Sequence, residues 1–173
     1  FLRLLDPTAL FMPELVDVPQ NATPYYGKIE SRDGELVSSL ANGTINFNKS
    51  FEIAYAKISG DYRSLHNHLR CSYNLYAPGR GAELIYTGTH HDEIYVGLLG
   101  AYYPDPDHVS QMRLDLTRRV LAAGGVVYKE GNSAACTIYD LLNRSEQAYL
   151  SYLKFMLGHY GAVAIFQGAE LGV

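Results

Sequence analysis

The chain has 173 residues, of which 47% are hydrophobic and 18% are charged, a composition typical of a folded domain and not of a disordered or coiled-coil chain. Its formal net charge is −4 and its largest basic cluster is the pair Arg118-Arg119, which disfavours a surface that neutralises nucleic-acid phosphates. The apolar runs are far shorter than the roughly 18 residues that span a bilayer, so we expect one domain over residues 1–173 with no membrane span.

The N-terminal half alternates short strand-like runs with turn residues. Asp33-Gly34 and Asn42-Gly43 are pairs that favour tight hairpin turns. Residues 51–58 and 62–76 follow as extended segments, and a glycine-rich turn leads into the run 82–89, which has a strong strand core. This spacing of runs and turns predicts an antiparallel barrel or sandwich.

The C-terminal half contains the best helical pattern in the chain. Apolar residues recur at helical spacing over residues 108–123, directly before the stop Gly124-Gly125, so a helix is predicted there. Residues 148–157 fit a helix capped by Ser145 or a buried strand equally well. Three further runs are predicted strands, namely 126–128, 137–139 and 162–167.

The long segment 62–76 is the most informative of the predicted strands. Alternate side chains of an extended chain point to opposite faces, so one face of this segment would be the packed one. The other face would be polar throughout, and it carries Tyr62, Ser64, His66, His68, Arg70, Ser72, Asn74 and Tyr76. Such a face either meets solvent or lines a polar lumen inside a barrel.

The pair His66-x-His68 would aim two imidazoles to one side of a strand, an arrangement that metal sites use. Its spacing to the flanking glycines resembles the first motif of the cupins, but Ser72 stands where that motif has a metal-binding glutamate. The second cupin motif is represented only by His108. We therefore predict no bound metal, and a cupin-like metalloenzyme is an alternative. Glycine motifs that bind phosphates or dinucleotides are absent, so no cofactor is expected.

Two further features favour chemistry inside a lumen. His90 directly follows the predicted strand 82–89, and such a histidine is more often part of a solvated loop end. At a barrel mouth it would instead serve as general acid or base. The chain has 15 Tyr against 6 Phe, and many of the tyrosines, such as Tyr73 and Tyr86, fall in predicted strands. A buried tyrosine hydroxyl needs a partner, so a tyrosine-lined lumen would suit an oxygenated ligand. Alternatively, tyrosine is simply a good strand former.

The compartment is indicated by Asn-x-Ser/Thr sequons. Four are present, at Asn21, Asn42, Asn48 and Asn143. With eight Asn and 18 Ser plus Thr, chance predicts about one, so the excess favours a secreted glycoprotein, although Pro24 disfavours use of the first sequon. The chain starts at Phe1 without Met, as a cleaved signal peptide would leave it. In an oxidising compartment Cys71 and Cys136 would form a disulfide, and in a reducing one they would be two small buried thiols.

Residues 36–90 carry a family resemblance. The residues that carry it are Leu40-Ala41-Asn42-Gly43-Thr44-Ile45, Gly60-Asp61-Tyr62 and Gly81-Ala82-Glu83-Leu84-Ile85-Tyr86. The segment resembles the small bacterial and fungal β-barrel proteins that form a calycin-like family of unknown function, although Arg80 replaces an aspartate of that family's last motif. The resemblance implies a closed antiparallel barrel in which 148–157 pairs as a strand with 161–167, and it implies no activity or catalytic residue.

These observations lead to one prediction of fold and function. We expect a mainly β protein, a single calycin-like antiparallel barrel with one or two helices in its C-terminal half. It would be secreted, glycosylated and bind a small hydrophobic or aromatic oxygenated ligand, as a cofactor-free cyclase or isomerase or, alternatively, as a carrier without chemistry. A homodimer is left open. The candidate catalytic residues are His66, His68 and Tyr86, and the candidate ligand-binding residues are Tyr62, Arg70, Tyr73, Tyr76 and His90.

Overall fold

The computed structural model describes residues 21, 23–26, 29–38, 43–76, 82–86, 94–159 and 162–165. Its helices are α1 (Phe47–Ser59), α2 (Arg63–Tyr76), α3 (Pro106–Ala122), α4 (Ile138–Leu141) and α5 (Glu146–Leu157). Its strands are β1 (Ile29–Arg32), β2 (Glu35–Ser38), β3 (Gly43–Ile45), β4 (Ala82–Tyr86), β5 (Val126–Tyr128), β6 (Ser133–Ala135) and β7 (Ala162–Ala164). Short 3₁₀ turns occupy Thr23–Tyr26, Val96–Leu98 and Lys129–Gly131. Helix predominates over strand in this part of the chain.

A parallel sheet with the strand order β3-β4-β7 organises the fold. Ile45 of β3 pairs with Leu84 of β4, which pairs in turn with Ala162 of β7. Neighbouring parallel strands require a long crossover connection, which is usually helical. Helices α1 and α2 lie on the connection from β3 to β4, and α3, α4 and α5 lie on the connection from β4 to β7. The described sheet is therefore of the α/β kind.

The predicted closed antiparallel barrel is wrong. In the described residues the sheet that contains β4 is parallel and has three short strands, and the two antiparallel pairs, β1-β2 and β5-β6, are separate hairpins. The calycin-like architecture therefore does not hold. The hairpin prediction at Asp33-Gly34 is confirmed, since both residues have positive φ, 53° and 84°, as a two-residue hairpin turn requires.

The predicted strand over 62–76 is also wrong, because most of that segment forms α2. The carboxylate of Asp61 accepts a hydrogen bond from the backbone nitrogen of Arg63 and so satisfies one free donor at the start of the helix. The side chains buried on α2 follow a helical period, with Ser64, His68 and Ser72 four residues apart. A strand of fifteen residues would also exceed the usual length of about 3–10.

Helix α1 replaces the extended segment predicted over 51–58. The side chain of Asn46 accepts a hydrogen bond from the backbone nitrogen of Lys49, and this caps the start of the helix. Gly60 ends the helix in the left-handed conformation, with φ of 77°, and its N–H reaches the carbonyl of Ala56. The capping residue thus directly follows β3, which places the start of α1 at the carboxyl end of that strand.

The C-terminal half matches its prediction more closely. The helix predicted over 108–123 is α3, and the residues that it buries are Met112, Leu116 and Val120. The ambiguous segment 148–157 lies in α5, whose first turn is capped by Ser145, so its implied strand pairing with 161–167 is wrong. The strand predicted over 137–139 is wrong too, because Thr137 caps α4.

The predicted disulfide is wrong, because both cysteines are free. Cys71 lies on α2, whereas Cys136 follows β6 and packs against Gly125 beside Val120 of α3. Each thiol is half-buried, as expected for a small apolar residue at the edge of a core. Within the described ranges, no helix is both long enough and apolar enough to cross a membrane.

Candidate functional site

Charged and polar side chains are buried on α1 and α2 to an unusual degree. We call this set the buried polar cluster, and its members are Asn46, Asn48, Lys49, Ser50, Glu52, Ser64, His68 and Ser72. Charged residues are rarely buried without partners, because removal of a charge from water is costly. The contacts of these buried polar side chains therefore show which parts of the chain they hold together.

The cluster begins at the carboxyl end of the parallel sheet. Asn46 is the first residue after β3, and it caps the N-terminus of α1. Parallel neighbouring strands have their carboxyl ends at the same edge, so the chain also leaves β4 and β7 at this edge. Parallel α/β folds place their binding and catalytic sites at this edge, where the connecting loops meet.

Asn46 and His68 connect the end of β3 to α2. The Nδ2 atom of Asn46 lies 3.2 Å from Nε2 of His68. Because an amide nitrogen donates, Nε2 of His68 accepts and the ring proton is assigned to Nδ1. The ring of Tyr102 packs edge-on against the imidazole, with 4.8 Å between the centroids. These contacts join three separate parts of the chain.

His68 is held in its neutral form. Its side chain is fully buried, and burial lowers its pKa to about 3, with a further lowering by the positive charge of Lys49. A neutral imidazole that accepts from an amide is a structural group and not a proton shuttle near neutral pH. His68 therefore acts on the site through the position of Asn46 and Tyr102.

Glu52 lies on α1, one helical turn after Asn48. Its Oε1 accepts a hydrogen bond of 2.7 Å from the backbone nitrogen of Gly100. Burial raises the pKa of Glu52 to about 7, although the hydroxyl of Ser64, the Gly100 N–H and the charge of Arg113 each oppose the rise. Glu52 is thus a carboxyl group whose ionisation falls near neutral pH.

The segment 98–102 is fixed from three helices at once. Asn48 of α1 donates to the carbonyl of Leu98, and Arg113 of α3 donates to the carbonyl of Leu99, at 3.1 and 3.0 Å. The side chain of Asn67 on α2 donates to the carbonyl of Tyr102. The segment 98–102 belongs to the connection that runs from β4 to β7. Because Asn48 and Glu52 of the buried polar cluster bind its backbone, the cluster fixes the position of this segment relative to α1.

A second polar group lies at the surface, where α2 and α3 begin. The guanidinium of Arg63 contacts the carboxylate of Asp61 at 2.8 Å, and His108 lies 3.3 Å from the same oxygen. The hydrogen bonds from Arg63 are the main cause that lowers the pKa of Asp61 to about 2. The carboxylate is already paired with a guanidinium, so this group is a surface ion-pair network that joins the two helix starts.

The structure does not bring together the predicted catalytic set. His66 is exposed and His68 is buried, because residues two apart on a helix point about 200° apart. The side chain of Tyr86 lies outside the described residues, as do those of Tyr73 and Tyr76 and the whole of His90. Tyr62 is exposed and packs edge-on against Phe155, and Arg70 is exposed as well.

The cyclase, isomerase and carrier hypotheses assume a barrel lumen, which the described strands do not form, and as functions they stay predictions. Binding of a small ligand, secretion and a homodimer stay predictions. Among the described residues, no three His, Cys, Asp or Glu side chains come together in a way that would hold a metal ion. The residues that sequence reasoning missed are Asn46, Glu52 and Arg113. Only Asn46 has a local pattern that could have revealed it, as a capping residue before the spacing Phe47, Phe51, Tyr55.

Among solved structures, the chain resembles that of sucrose 6F-phosphate phosphorylase from Thermoanaerobacter thermosaccharolyticum, with a TM-score of 0.52 and 18% sequence identity. The likeness covers 73% of this chain and 26% of that chain, so the match spans about a quarter of the length of the phosphorylase. No family model and no curated protein matches the chain. At this level of identity the likeness concerns the fold.

Proposed function

We propose that this chain belongs to an enzyme that transfers a sugar from a glycoside to phosphate, with the carboxyl edge of the β3-β4-β7 sheet facing the substrate. The proposal is supported by the fold shared with sucrose 6F-phosphate phosphorylase over 73% of the chain. It is also supported by the parallel topology, because substrates of such folds bind where the strands end.

The observation that carries the proposal is the contact between Asn46 and His68. Asn46 lies directly after β3, and His68 in turn contacts the ring of Tyr102 in the segment 98–102. The end of β3, helix α2 and the segment 98–102 are thereby held in one arrangement by one buried hydrogen bond and one ring contact. Such rigid support is what an active site requires, because misplacement of reacting groups by about 1 Å costs about 100-fold in rate.

The reaction is a redox-neutral group transfer. The bond between the anomeric carbon and the glycosidic oxygen breaks, and a bond forms between that carbon and a phosphate oxygen. The proton that phosphate gives up goes to the departing sugar hydroxyl, so no further reactant is needed. In this proposal Asn46 and His68 are positioning residues, because both are buried and hold other groups.

The test is phosphorolysis by the purified protein. Sucrose or sucrose 6F-phosphate is incubated with inorganic phosphate, and the appearance of a new sugar phosphate is followed by phosphorus NMR. A new sugar phosphate that depends on the protein supports the proposal. Absence of turnover with both glycosides, in a protein whose circular dichroism shows the helical fold, overturns it.

The positioning role is tested by His68→Gln. Glutamine can still accept from Asn46 but has no aromatic ring for Tyr102, so we expect kcat to fall by about 10-fold or more while KM changes little. The matched control is His66→Gln, which changes an exposed residue on the same helix and leaves both constants as they were. Equal kinetics for the two variants would contradict the role of His68.

A further inference from the structure

Three of the four sequon asparagines lie among the described residues, and their environments differ. Asn42 lies outside the described residues, and Asn21 is exposed but Pro24 comes directly after its sequon. Asn48 lies in α1 and Asn143 lies in the turn between α4 and α5, and they differ in whether the side-chain nitrogen can carry a sugar. Because N-linked glycans are bulky and occupy the surface, this difference decides between the two sites.

Asn48 is closed to modification in the folded chain. It lies in the first turn of α1, and its side chain is 0% exposed. Its Nδ2, the atom that would carry the sugar, donates a hydrogen bond of 3.1 Å to the carbonyl of Leu98. A glycan on this fully buried atom has no room between α1 and the segment 98–102 and would force them apart.

Asn143 has the opposite environment. It lies in the turn between α4 and α5, and the three residues of its sequon, Asn143, Arg144 and Ser145, are all exposed. Asn143 and Arg144 have positive φ, 56° and 54°, so the chain makes a tight turn before the helix. The Ser145 oxygen accepts a hydrogen bond from the backbone nitrogen of Ala148, which leaves its hydroxyl proton available.

We propose that Asn143 is an N-glycan acceptor in a secretory compartment and that folded molecules carry no glycan at Asn48. In the transfer, an N–H bond of Asn143 Nδ2 breaks and an N–C bond forms to the anomeric carbon of a lipid-linked oligosaccharide. The lipid pyrophosphate is the leaving group, and the proton is released to the enzyme that catalyses the transfer. The inference is independent of the proposed sugar transfer.

The experiment is secretion of the chain from yeast, followed by peptide mapping. Treatment of the folded, secreted protein with peptide N-glycosidase in heavy-oxygen water converts each occupied Asn to labelled Asp. We expect the label at Asn143 and none at Asn48. A label at Asn48, or an unlabelled Asn143, overturns the proposal.

Two variants separate the glycan from the fold of the turn. Asn143→Asp removes the acceptor but keeps a residue that tolerates positive φ, so the glycan mass at this site is lost. Ser145→Thr keeps both the sequon and the helix cap, so the glycan mass is retained. An unchanged glycan mass in Asn143→Asp, or its loss in Ser145→Thr at full helix content, would contradict the assignment.

Discussion

The Oε1 atom of Glu52 lies 2.7 Å from the backbone nitrogen of Gly100 and accepts its hydrogen. The contact joins residues 48 positions apart, and it is buried between α1 and the segment 98–102. Burial alone would keep this carboxyl protonated, whereas the amide and the nearby Arg113 favour its charge. The balance puts its ionisation in the neutral range, which makes the stability of the fold dependent on pH.

Glu52→Gln should change that dependence. The pKa of Glu52 is about 7 in the folded chain against an ordinary value of 4.5, so the folded state binds more protons between these values. The contribution of Glu52 to stability is therefore present below pH 4.5 and lost as pH rises through 7. Relative to the unmodified protein, the variant should gain about 3 kcal/mol in free energy of unfolding between pH 4 and pH 8. Urea denaturation at a series of pH values measures this, and a difference independent of pH would refute it.

His68→Gln should have the opposite effect. The pKa of His68 is lowered to about 3 from 6.5, so the unfolded chain binds the extra proton. The stability that it contributes is present above pH 6.5 and lost as pH falls towards 3. Between pH 7 and pH 3 the unmodified protein should lose roughly 5 kcal/mol more than the variant. His66→Gln, at an exposed position of the same helix, is the control and should keep the full loss on acidification.

Gly100→Ala should be strongly destabilising. Gly100 has φ of +81°, and an added Cβ would lie 2.7 Å from a methyl carbon of Val109 on α3. We expect a loss of about 2–4 kcal/mol in the free energy of unfolding, from backbone strain and overpacking together. Gly124 has the same φ and nothing near its Cβ position, so Gly124→Ala should cost only about 1 kcal/mol. Equal losses in thermal or urea unfolding would show that Val109 can move aside.

Asn46→Ala should cost more than the removal of an ordinary helix cap. It removes the acceptor for the backbone nitrogen of Lys49, worth about 1 kcal/mol, and it leaves the buried Nε2 of His68 without this donor, at about 1–3 kcal/mol. Ser145→Ala removes only the cap of α5 and should cost about 1 kcal/mol. Chemical denaturation at pH 7 compares the two, and equal costs would mean that the contact to His68 contributes nothing.

Local patterns in the sequence predicted those elements whose signals agree with one another. Helix α3 has a helical apolar period, a capping Asp105 and a glycine stop, and the structure confirms it as Pro106–Ala122. The Asp33-Gly34 turn likewise needs only two residues to define it. Over 62–76, by contrast, polar residues fall on both possible faces, so the alternation that suggested a strand did not distinguish it from a helix.

The buried polar cluster could not be predicted from its residues. Glu52 has no neighbour in the sequence that suggests burial, and its partners Gly100 and Arg113 lie far along the chain. The two histidines of the 62–76 segment were expected on one face, whereas the helical period separates them and leaves only His68 in the cluster. A site built from contacts between distant elements depends on how those elements pack.

A folded chain of balanced composition, a hairpin turn at Asp33-Gly34 and the amphipathic helix α3 all follow from the amino-acid sequence, because each depends on residues that are neighbours in the chain. The parallel direction of β3, β4 and β7, the contact of Asn46 with His68 and that of Glu52 with Gly100 come instead from the packing of distant elements. Strand direction and buried polar contacts depend on elements about 20 to 80 residues apart, and the free energy that selects them arises from packing and desolvation. Strand direction and buried polar contacts therefore cannot be predicted from a short stretch of neighbouring residues.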